Sequence, residues 1–127
     1  MSLCDKIKED VSYEHLSEGN TKLYIVVRGD LSRVQQTVQA CHAIAQYLLT
    51  VNEFTFDSIS IRHWENEHLV LLKAKDLTEL CIIREKIRGK QGPWAEFKEP
   101  YYNDQTTAVA ALGTSEVEEM LSSLPLL

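Results

Sequence analysis

The sequence predicts an α/β sandwich built on a mixed sheet, and three observations predict it. A compact run of β-branched, aliphatic and aromatic residues at 21–29 is typical of a buried central strand. The segment that follows has apolar residues at steps of three and four, which predicts an amphipathic helix. Strand-like and helix-like segments then alternate to the end of the chain, and this alternation is typical of layered α/β folds.

The first half of the chain gives the predicted order β-α-β-β. The strand "TKLYIVVRG" ends at Gly29, and the helix in "LSRVQQTVQACHAIAQYLLT" begins with Ser32 and Gln35 spaced as in a capping box. The segments "FDSISIRHW" and "HLVLLKAK" predict two strands that the turn "ENE" joins as a hairpin. The junction between the first strand and the first helix, 29–32, is a natural place for a ligand.

The second half adds α-β-β-α. "DLTELCIIREKIRGK" predicts a helix that ends near Gly89, and its predicted apolar side consists of Leu77, Leu80, Ile83 or Ile82, and Ile87. "GPWAEFKEP" and "TTAVAALG" predict two short strands, and "TSEVEEML" predicts a last helix capped by Thr114 or Ser115. We expect residues 1–20 to form an acidic arm or short helix and residues 21–127 to form one domain.

Composition limits the class of protein. The 127 residues are 44% apolar and 25% charged, which is ordinary for a folded domain and excludes a disordered chain. The apolar runs are too short for a signal peptide or a membrane span, so we expect a cytoplasmic protein with no membrane partner. Three cysteines without CxxC spacing predict reduced, mostly buried thiols and neither a zinc site nor a disulfide framework.

Charge is uneven along the chain, although the net value is −6. Residues 21–98 contain eleven Lys and Arg against nine acids, so a local basic surface can exist there. The end of the second predicted helix is its most basic part, with Arg84, Lys86, Arg88 and Lys90. These residues either complement the helix dipole or contact RNA phosphates, and the sequence leaves both interpretations open.

The first helix carries an apolar stripe beside a polar stripe. At 100° per residue, one apolar set clusters within about 40°, which predicts that it faces the core: Val34, Val38, Cys41, Ala45 and Leu48. We expect Ile44, Ala40 and Tyr47 to widen this buried side. Gln35, Gln39, His42 and Gln46 form the polar stripe along one edge. Cys41 and His42 are adjacent and point about 100° apart, which excludes a nucleophile and base pair. The polar stripe is either a solvated edge or a binding surface for a phosphate, sugar or carbonyl.

The segment "LYIVVRGDLSRVQQTVQACHAIAQYL" resembles the first strand and helix of the type 2 peptidyl-tRNA hydrolases. The family's motif residues have counterparts at Arg28, Asp30, Leu31, Gln39, His42 and Ala43. "HLVLLKAKDLTEL" and "EPYYNDQTTAVAALG" are similar to later parts of the family in the same order, so that the resemblance covers about residues 22–118. The loop "SRVQQ" is closer to a bacterial and phage branch than to the usual Gly/Lys-rich form.

The resemblance implies hydrolysis of the ester between a peptide and tRNA. It also implies a three-layer α/β/α sandwich with a four- to five-strand sheet, a homodimer, the tRNA 3′ end as partner, and neither metal nor cofactor. The catalytic residues it implies are Gln39, Glu99 in place of the family's aspartate, Thr106 or Thr107, and Arg33. The implied substrate-binding residues are Asp30, Gln35, His42, Arg84 and Arg88. The family's lysine at the helix start is absent; Arg33 and Gln35 are the nearest residues.

Structural roles compete with these assignments. Asp30 is equally explained as a turn residue, and Glu99 as the exposed end of a strand or a partner of Arg33. His42 is expected to orient Asp30 or a backbone carbonyl. Strand alternation places Thr106 and Thr107 on opposite faces, so only one of them can serve. Two functions compete with the esterase: a catalytically impaired tRNA- or nucleotide-binding protein with the same fold, and an interaction protein with no substrate.

Overall fold

The computed structural model describes residues 22–53 and 64–127. The predicted arm at 1–20 and the first strand of the predicted hairpin, except Trp64, lie outside the described residues. Within them, seven strands and helices follow one another: β1 Lys22–Arg28, α1 Arg33–Glu53, β2 His68–Ala74, α2 Leu77–Arg88, β3 Trp94–Glu99, β4 Gln105–Leu112 and α3 Ser115–Leu121. One 3-10 turn, Pro100–Tyr102, connects β3 to β4.

The described strands form a mixed four-stranded sheet in the order β2-β1-β4-β3. β1 pairs with β2 in parallel, from Lys22 opposite His68 to Arg28 opposite Ala74. β1 and β3 both pair with β4 in antiparallel fashion. A parallel pair requires a long crossover, and the connection between β1 and β2 contains α1. The predicted mixed sheet is thereby confirmed.

Apolar clusters cover both faces of the sheet. On one face, Leu23, Ile25 and Val27 of β1 pack with Ala40, Ala43 and Tyr47 of α1. On the other face, Val26 of β1 packs with residues from α2 and α3, namely Leu80, Ile83, Ile87, Val117 and Leu121. β1 is therefore buried on both sides, which explains its nearly continuous apolar sequence. The three predicted layers are confirmed.

The helix boundaries follow their predicted capping residues. The Ser32 hydroxyl accepts a hydrogen bond from the Gln35 backbone amide at 3.2 Å, and Thr114 caps α3. α2 ends at Gly89 as predicted, and it begins at the cap residue Asp76. The apolar side of α2 consists of Leu80, Ile83 and Ile87, whereas Ile82 is 52% exposed.

The predicted orientation of α1 is wrong. Cys41 is exposed, and Val34 and Leu48 of the same stripe are 70% and 50% exposed. Ala40 and Tyr47, which were expected only to widen the buried side, are its centre, together with Ala43 and Gln39. This side faces the sheet because its small residues allow α1 to approach the alanine-rich part of β4, where Ala108 and Ala110 join the same cluster.

Two further features bear on the surface of the fold. The C-terminal tail pairs with β2: the Lys73 amide donates to the Pro125 carbonyl at 2.9 Å, and the Leu127 amide donates to the Leu71 carbonyl at 3.0 Å. In residues 22–53 and 64–127, no helix has the length and hydropathy needed to cross a membrane.

Tyr47 contains a buried hydroxyl that finds no hydrogen-bond partner among the described residues. Its side chain is 1% exposed, and burial raises the pKa of this phenol. Because a desolvated, unpaired hydroxyl is unfavourable, we expect Tyr47→Phe to raise the free energy of unfolding by about 1 kcal/mol in urea titrations. Tyr101→Phe is the control, since Tyr101 is 92% exposed. A clear loss of stability in Tyr47→Phe would contradict this reading.

Candidate functional site

Three polar side chains from three different elements meet between α1 and the sheet. The Gln39 amide nitrogen donates to Glu99 Oε1 at 3.0 Å, and the Thr107 hydroxyl donates to Gln39 Oε1 at 2.5 Å. Gln39 and Thr107 are fully buried, and Glu99 is 9% exposed. We call Gln39, Glu99 and Thr107 the buried polar triad. Glu99 is the member of the triad that keeps some exposure to solvent.

The hydrogen bonds of Gln39 have one consistent direction. The Thr107 hydroxyl donates to Gln39 Oε1, and it also lies 3.5 Å from the carbonyl oxygen of Phe97. The amide nitrogen of Gln39 then donates to Glu99 and, at 3.4 Å, to Gln35 Oε1. Both amide hydrogens and the amide oxygen are thus engaged, so Gln39 holds Glu99 in place and has no free donor for a ligand.

Glu99 is fixed from a second direction at the end of β3. Its Oε2 accepts from the Tyr101 backbone amide at 3.4 Å, which caps the short turn that Pro100 begins. The chain returns to β4 through Asn103 and Asp104, whose φ angles of 54° and 59° lie in the left-handed region that Asn and Asp tolerate. The carboxylate is therefore held on a defined turn, and the prediction that it orients Arg33 is wrong: its partners are Gln39 and Tyr101.

A β-bulge decides which threonine joins the triad. Phe97 pairs with Ala108, but the next residue of β3, Lys98, pairs with Thr106, so Thr107 is the extra residue of β4. In a bulge of this kind the alternation of side chains is interrupted. Thr107 consequently points to the α1 face together with Ala108, although strict alternation from Ala108 would have sent it to the other face.

Thr106 belongs to a separate cluster on the α2 face. Its hydroxyl donates to Glu96 Oε2 at 2.7 Å, and the Arg84 guanidinium contacts both groups, at 3.2 Å to Thr106 and 3.4 Å to Glu96. Arg88 lies over the ring of Trp94, 5.5 Å from its centroid. The predicted site residues Thr106, Arg84 and Arg88 are thus separated from the buried polar triad by the sheet.

The junction between β1 and α1 is tightly built. The Gly29 amide donates to the Ala74 carbonyl at 2.7 Å, and a Cβ at Gly29 would lie 2.6 Å from that same oxygen. The Gln36 side chain donates to the carbonyls of Gly29 and Leu31 at 3.1 and 2.9 Å, which ties the junction to the helix. Gln36 was not predicted to have this role, because its sequence position next to Gln35 gives no signal of these contacts.

Asp30 pairs with Arg28, which donates to it at 2.7 and 3.2 Å and to Gln105 at 3.0 Å. The hydrogen bond from Arg28 lowers the pKa of Asp30. The predicted contact of His42 with Asp30 or a carbonyl is replaced by stacking: the imidazole lies parallel to the ring of Phe97 with centroids 4.3 Å apart. The contact with Phe97 was not predicted either, because only the fold brings β3 beside α1.

Two predicted residues keep unused donors at the start of α1. Gln35 is half-buried, its oxygen accepts from Gln39, and its own amide nitrogen has no partner among the described residues. Arg33 is exposed, and its guanidinium likewise contacts no other described side chain closely enough for a hydrogen bond or ion pair. Both residues lie in the first turn of α1, where the helix dipole attracts negative charge.

The arrangement is suited to hydrolysis by an activated water. A carboxylate fixed by two donors can accept a proton from water, and the nearby hydroxyl of Thr107 is buried and committed to Gln39. The unused donors of Gln35 and Arg33 can stabilise negative charge on a substrate. In the described parts of the chain, no group of three His, Cys, Asp or Glu side chains could hold a metal ion.

Comparison with protein families identifies a match over most of the chain. The family model described as "Peptidyl-tRNA hydrolase PTH2" matches residues 21–127, which is most of the chain. No curated protein matches the sequence. The matched range includes β1, α1, the turn after β3 and β4, and therefore every residue of the buried polar triad.

Proposed function

The chain belongs to the peptidyl-tRNA hydrolase PTH2 family, and on that basis we propose that it cleaves the ester joining a peptide, or an N-blocked aminoacyl group, to tRNA. The observation that carries the proposal is the buried polar triad, in which Gln39 fixes a largely buried carboxylate and also contacts Gln35 in the first turn of α1. The family match favours this activity over a catalytically impaired tRNA- or nucleotide-binding protein.

Glu99 is the proposed general base. It takes a proton from a water molecule, whose oxygen attacks the ester carbonyl and forms a tetrahedral oxyanion. Collapse of this intermediate breaks the bond to the ribose oxygen, and the proton held by Glu99 passes to that oxygen as the tRNA leaves. Gln39 and Thr107 act as positioning residues, because they contact Glu99 or each other and have no group left for the substrate.

Gln35 and Arg33 are the proposed electrostatic groups. The unused amide donor of Gln35 is placed to hydrogen-bond the oxyanion, and Arg33 adds a positive charge at the helix start for the phosphates of the tRNA 3′ end. A neutral amide stabilises an oxyanion less than an ammonium group does. We therefore propose slower turnover than a lysine at this position would give.

Other assignments stay as proposals around this centre. Asp30 and His42 line the approach to it, whereas Thr106, Arg84 and Arg88 take no part in the reaction because they lie across the sheet. We also propose a cytoplasmic protein of the bacterial and phage branch, in which residues 1–20 form an arm on a single domain at 21–127, and a homodimer.

The direct test is release of tRNA from an N-acetylated aminoacyl-tRNA by the purified protein. We expect release with the wild-type chain, and about tenfold faster release with Gln35→Lys, since one additional charged hydrogen bond is worth roughly that factor. No release at high enzyme concentration would overturn the proposal. Salt-sensitive tRNA binding would then identify the impaired binding protein, and absence of both would identify an interaction protein.

The two threonines give a matched pair of variants. We expect Thr107→Val to leave Gln39 Oε1 buried without its donor, which lowers the free energy of unfolding by about 1–3 kcal/mol and slows ester hydrolysis. Thr106→Val removes a hydroxyl on the other face and should leave the hydrolysis rate within about twofold of wild type. Slower hydrolysis in Thr106→Val with an unaffected Thr107→Val would show that the wrong threonine has been assigned.

A further inference from the structure

Tyr101 presents an uncovered aromatic ring close to the proposed general base. Its side chain is 92% exposed, and it follows Glu99 by two residues. The other two rings at 97–105 are engaged: Phe97 is stacked on an imidazole, and Tyr102 lies 6.0 Å from the guanidinium of Arg28. Within that stretch, Tyr101 is therefore the ring whose face is open to a ligand.

The turn that carries Tyr101 has a fixed backbone. Pro100 begins the turn, and the Tyr101 amide donates to Glu99 Oε2 at 3.4 Å. The Asn103 amide donates to the Pro100 carbonyl at 3.2 Å, and the Asp104 amide donates to the Glu99 carbonyl at 3.0 Å. A ligand that stacks on a ring held in this way pays less for ordering the protein. The position of the Tyr101 backbone relative to Glu99 is thus set in advance.

Arg28 joins this turn to the start of α1. Its guanidinium donates to Asp30 at 2.7 and 3.2 Å and to Gln105 at 3.0 Å, and it also contacts the ring of Tyr102. Asp30 lies at the junction of β1 and α1, whereas Tyr102 and Gln105 belong to the turn and to the start of β4. The turn that displays Tyr101 is therefore attached to the same junction that precedes the first turn of α1.

The proposed substrate brings a flat group to this place. The ester that Glu99 would act on is carried by the ribose of the last nucleoside of tRNA, which is adenosine in every tRNA. The adenine is thus separated from the ester carbonyl by a single ribose ring. Two residues of chain span at most about 7 Å, so a carbonyl held at Glu99 leaves the adenine within reach of the Tyr101 side chain.

The charges around Tyr101 favour a neutral ring over a phosphate. Glu99 and Asp104 flank the turn, and the neighbouring cations, Arg28 and Lys98, each pair with a carboxylate. A phosphate at this position would meet uncompensated negative charge, whereas adenine is uncharged and stacks through its π-face. The amino acid attached to tRNA varies in its side chain, but the adenine does not. A fixed aromatic ring therefore suits the constant part of the substrate.

From these observations we propose that the ring of Tyr101 stacks on the terminal adenine of tRNA and so places the adjoining ester beside Glu99. The proposal rests on the proposed function, and it goes further by naming the substrate group that this turn recognises. Tyr101 is a binding residue in this scheme and takes no part in proton transfer.

The first experiment measures equilibrium binding of uncharged tRNA at one fixed salt concentration, because phosphate contacts depend on salt. One tRNA is intact, and the other lacks only the base of its terminal adenosine, so that every phosphate is kept. We expect the wild-type chain to bind the intact tRNA about 5- to 150-fold more tightly, the range covered by one base–aromatic stack. Tyr101→Ala should bind both tRNAs equally, and Tyr101→Phe, which keeps a ring, should behave as wild type.

The second experiment measures hydrolysis of N-acetylated aminoacyl-tRNA by the same variants. We expect Tyr101→Ala to raise KM by the same factor with little change in kcat, because the stack is present before and during the reaction. The variant keeps the backbone amide that donates to Glu99, and its urea unfolding curve should match wild type because Tyr101 is exposed. Ile82→Ala, an exposed apolar position on α2, is the matched control and should change neither KM nor kcat.

The outcomes separate this proposal from the proposed function. A wild-type chain that hydrolyses the ester but binds both tRNAs equally would overturn the stacking of adenine alone. A preference for the intact tRNA that persists in Tyr101→Ala would also overturn it, as would a KM effect that follows the amino acid and not the base. A chain that prefers the intact tRNA through Tyr101 but releases no tRNA would support the stacking and overturn the hydrolysis.

Discussion

We expect Glu99→Gln to slow the release of tRNA from N-acetylated aminoacyl-tRNA by about 100- to 10,000-fold, the usual contribution of a general base. The substitution keeps the size of the side chain and the acceptor oxygen that faces Gln39, and it gives up only the 3.4 Å hydrogen bond from the Tyr101 amide, so the fold should persist. It removes the ability to accept a proton from water. The effect should appear in kcat, with little change in binding of uncharged tRNA.

Glu96→Gln provides the comparison for this variant. Glu96 is likewise a carboxylate of β3, but it accepts a hydrogen bond from Thr106 and lies on the α2 face with Arg84. Removal of the Glu96 charge should change the free energy of unfolding and leave the rate of hydrolysis unchanged. Equal losses of hydrolysis in Glu96→Gln and Glu99→Gln would show that the variants act through the sheet as a whole, and an active Glu99→Gln would remove Glu99 from the mechanism.

We expect Gly29→Ala to lower the free energy of unfolding by about 1–3 kcal/mol, the range for overpacking a tight site. A Cβ at Gly29 would lie 2.6 Å from the Ala74 carbonyl oxygen, which already accepts the Gly29 amide. Backbone has to move at the end of β1 or β2 to relieve this contact. Because the same junction sets the start of α1 through Gln36, hydrolysis should fall as well.

Gly89→Ala is the matched control for that experiment, measured by the same urea titration. Gly89 ends α2 with ordinary helical angles, and the nearest atom to an added Cβ would be 3.5 Å away. Alanine there should leave stability unchanged or raise it by about 0.4–1 kcal/mol, because it restricts the unfolded chain. Equal losses in the two variants would contradict the argument from close approach at Gly29.

Short-range signals in the sequence predicted the positions of the described helices and strands well. Ser32, Thr114 and Gly89 mark helix ends through hydrogen bonds made within a few residues, so their positions could be predicted without knowledge of the fold. The continuous apolar sequence of β1 likewise indicated a strand buried on both faces. These features depend on neighbours in the sequence, and for that reason the sequence contains the information that determines them.

The orientation of α1 could not be predicted in the same way. The helix is apolar on two sides, and periodicity gives no reason to choose between the stripe with Cys41 and the side with Ala43. The choice depends on the alanines that β4 presents more than 60 residues later. Burial of Gln39 also depends on distant partners, since Glu99 and Thr107 lie 60 and 68 residues away.

The members of the candidate site were predicted through the family resemblance, but their grouping was not. Alternation correctly separates Thr106 from Thr107, yet it cannot say which of them shares a face with α1, because the bulge beside Phe97 interrupts the count. The sequence of a strand gives no clear signal for a bulge. Residues on both sides of the sheet were therefore assigned to one site.

The C-terminal tail has a consequence for how the protein behaves at high concentration. Its hydrogen bonds to Leu71 and Lys73 occupy the outer backbone groups of β2, the strand at one edge of the sheet. At the opposite edge, the bulge in β4 interrupts the pairing with β3, and β3 carries the exposed ammonium group of Lys98. Unpaired strand edges are where chains add to one another and aggregate. Both edges are protected by different means, which disfavours the addition of one sheet to another at high concentration.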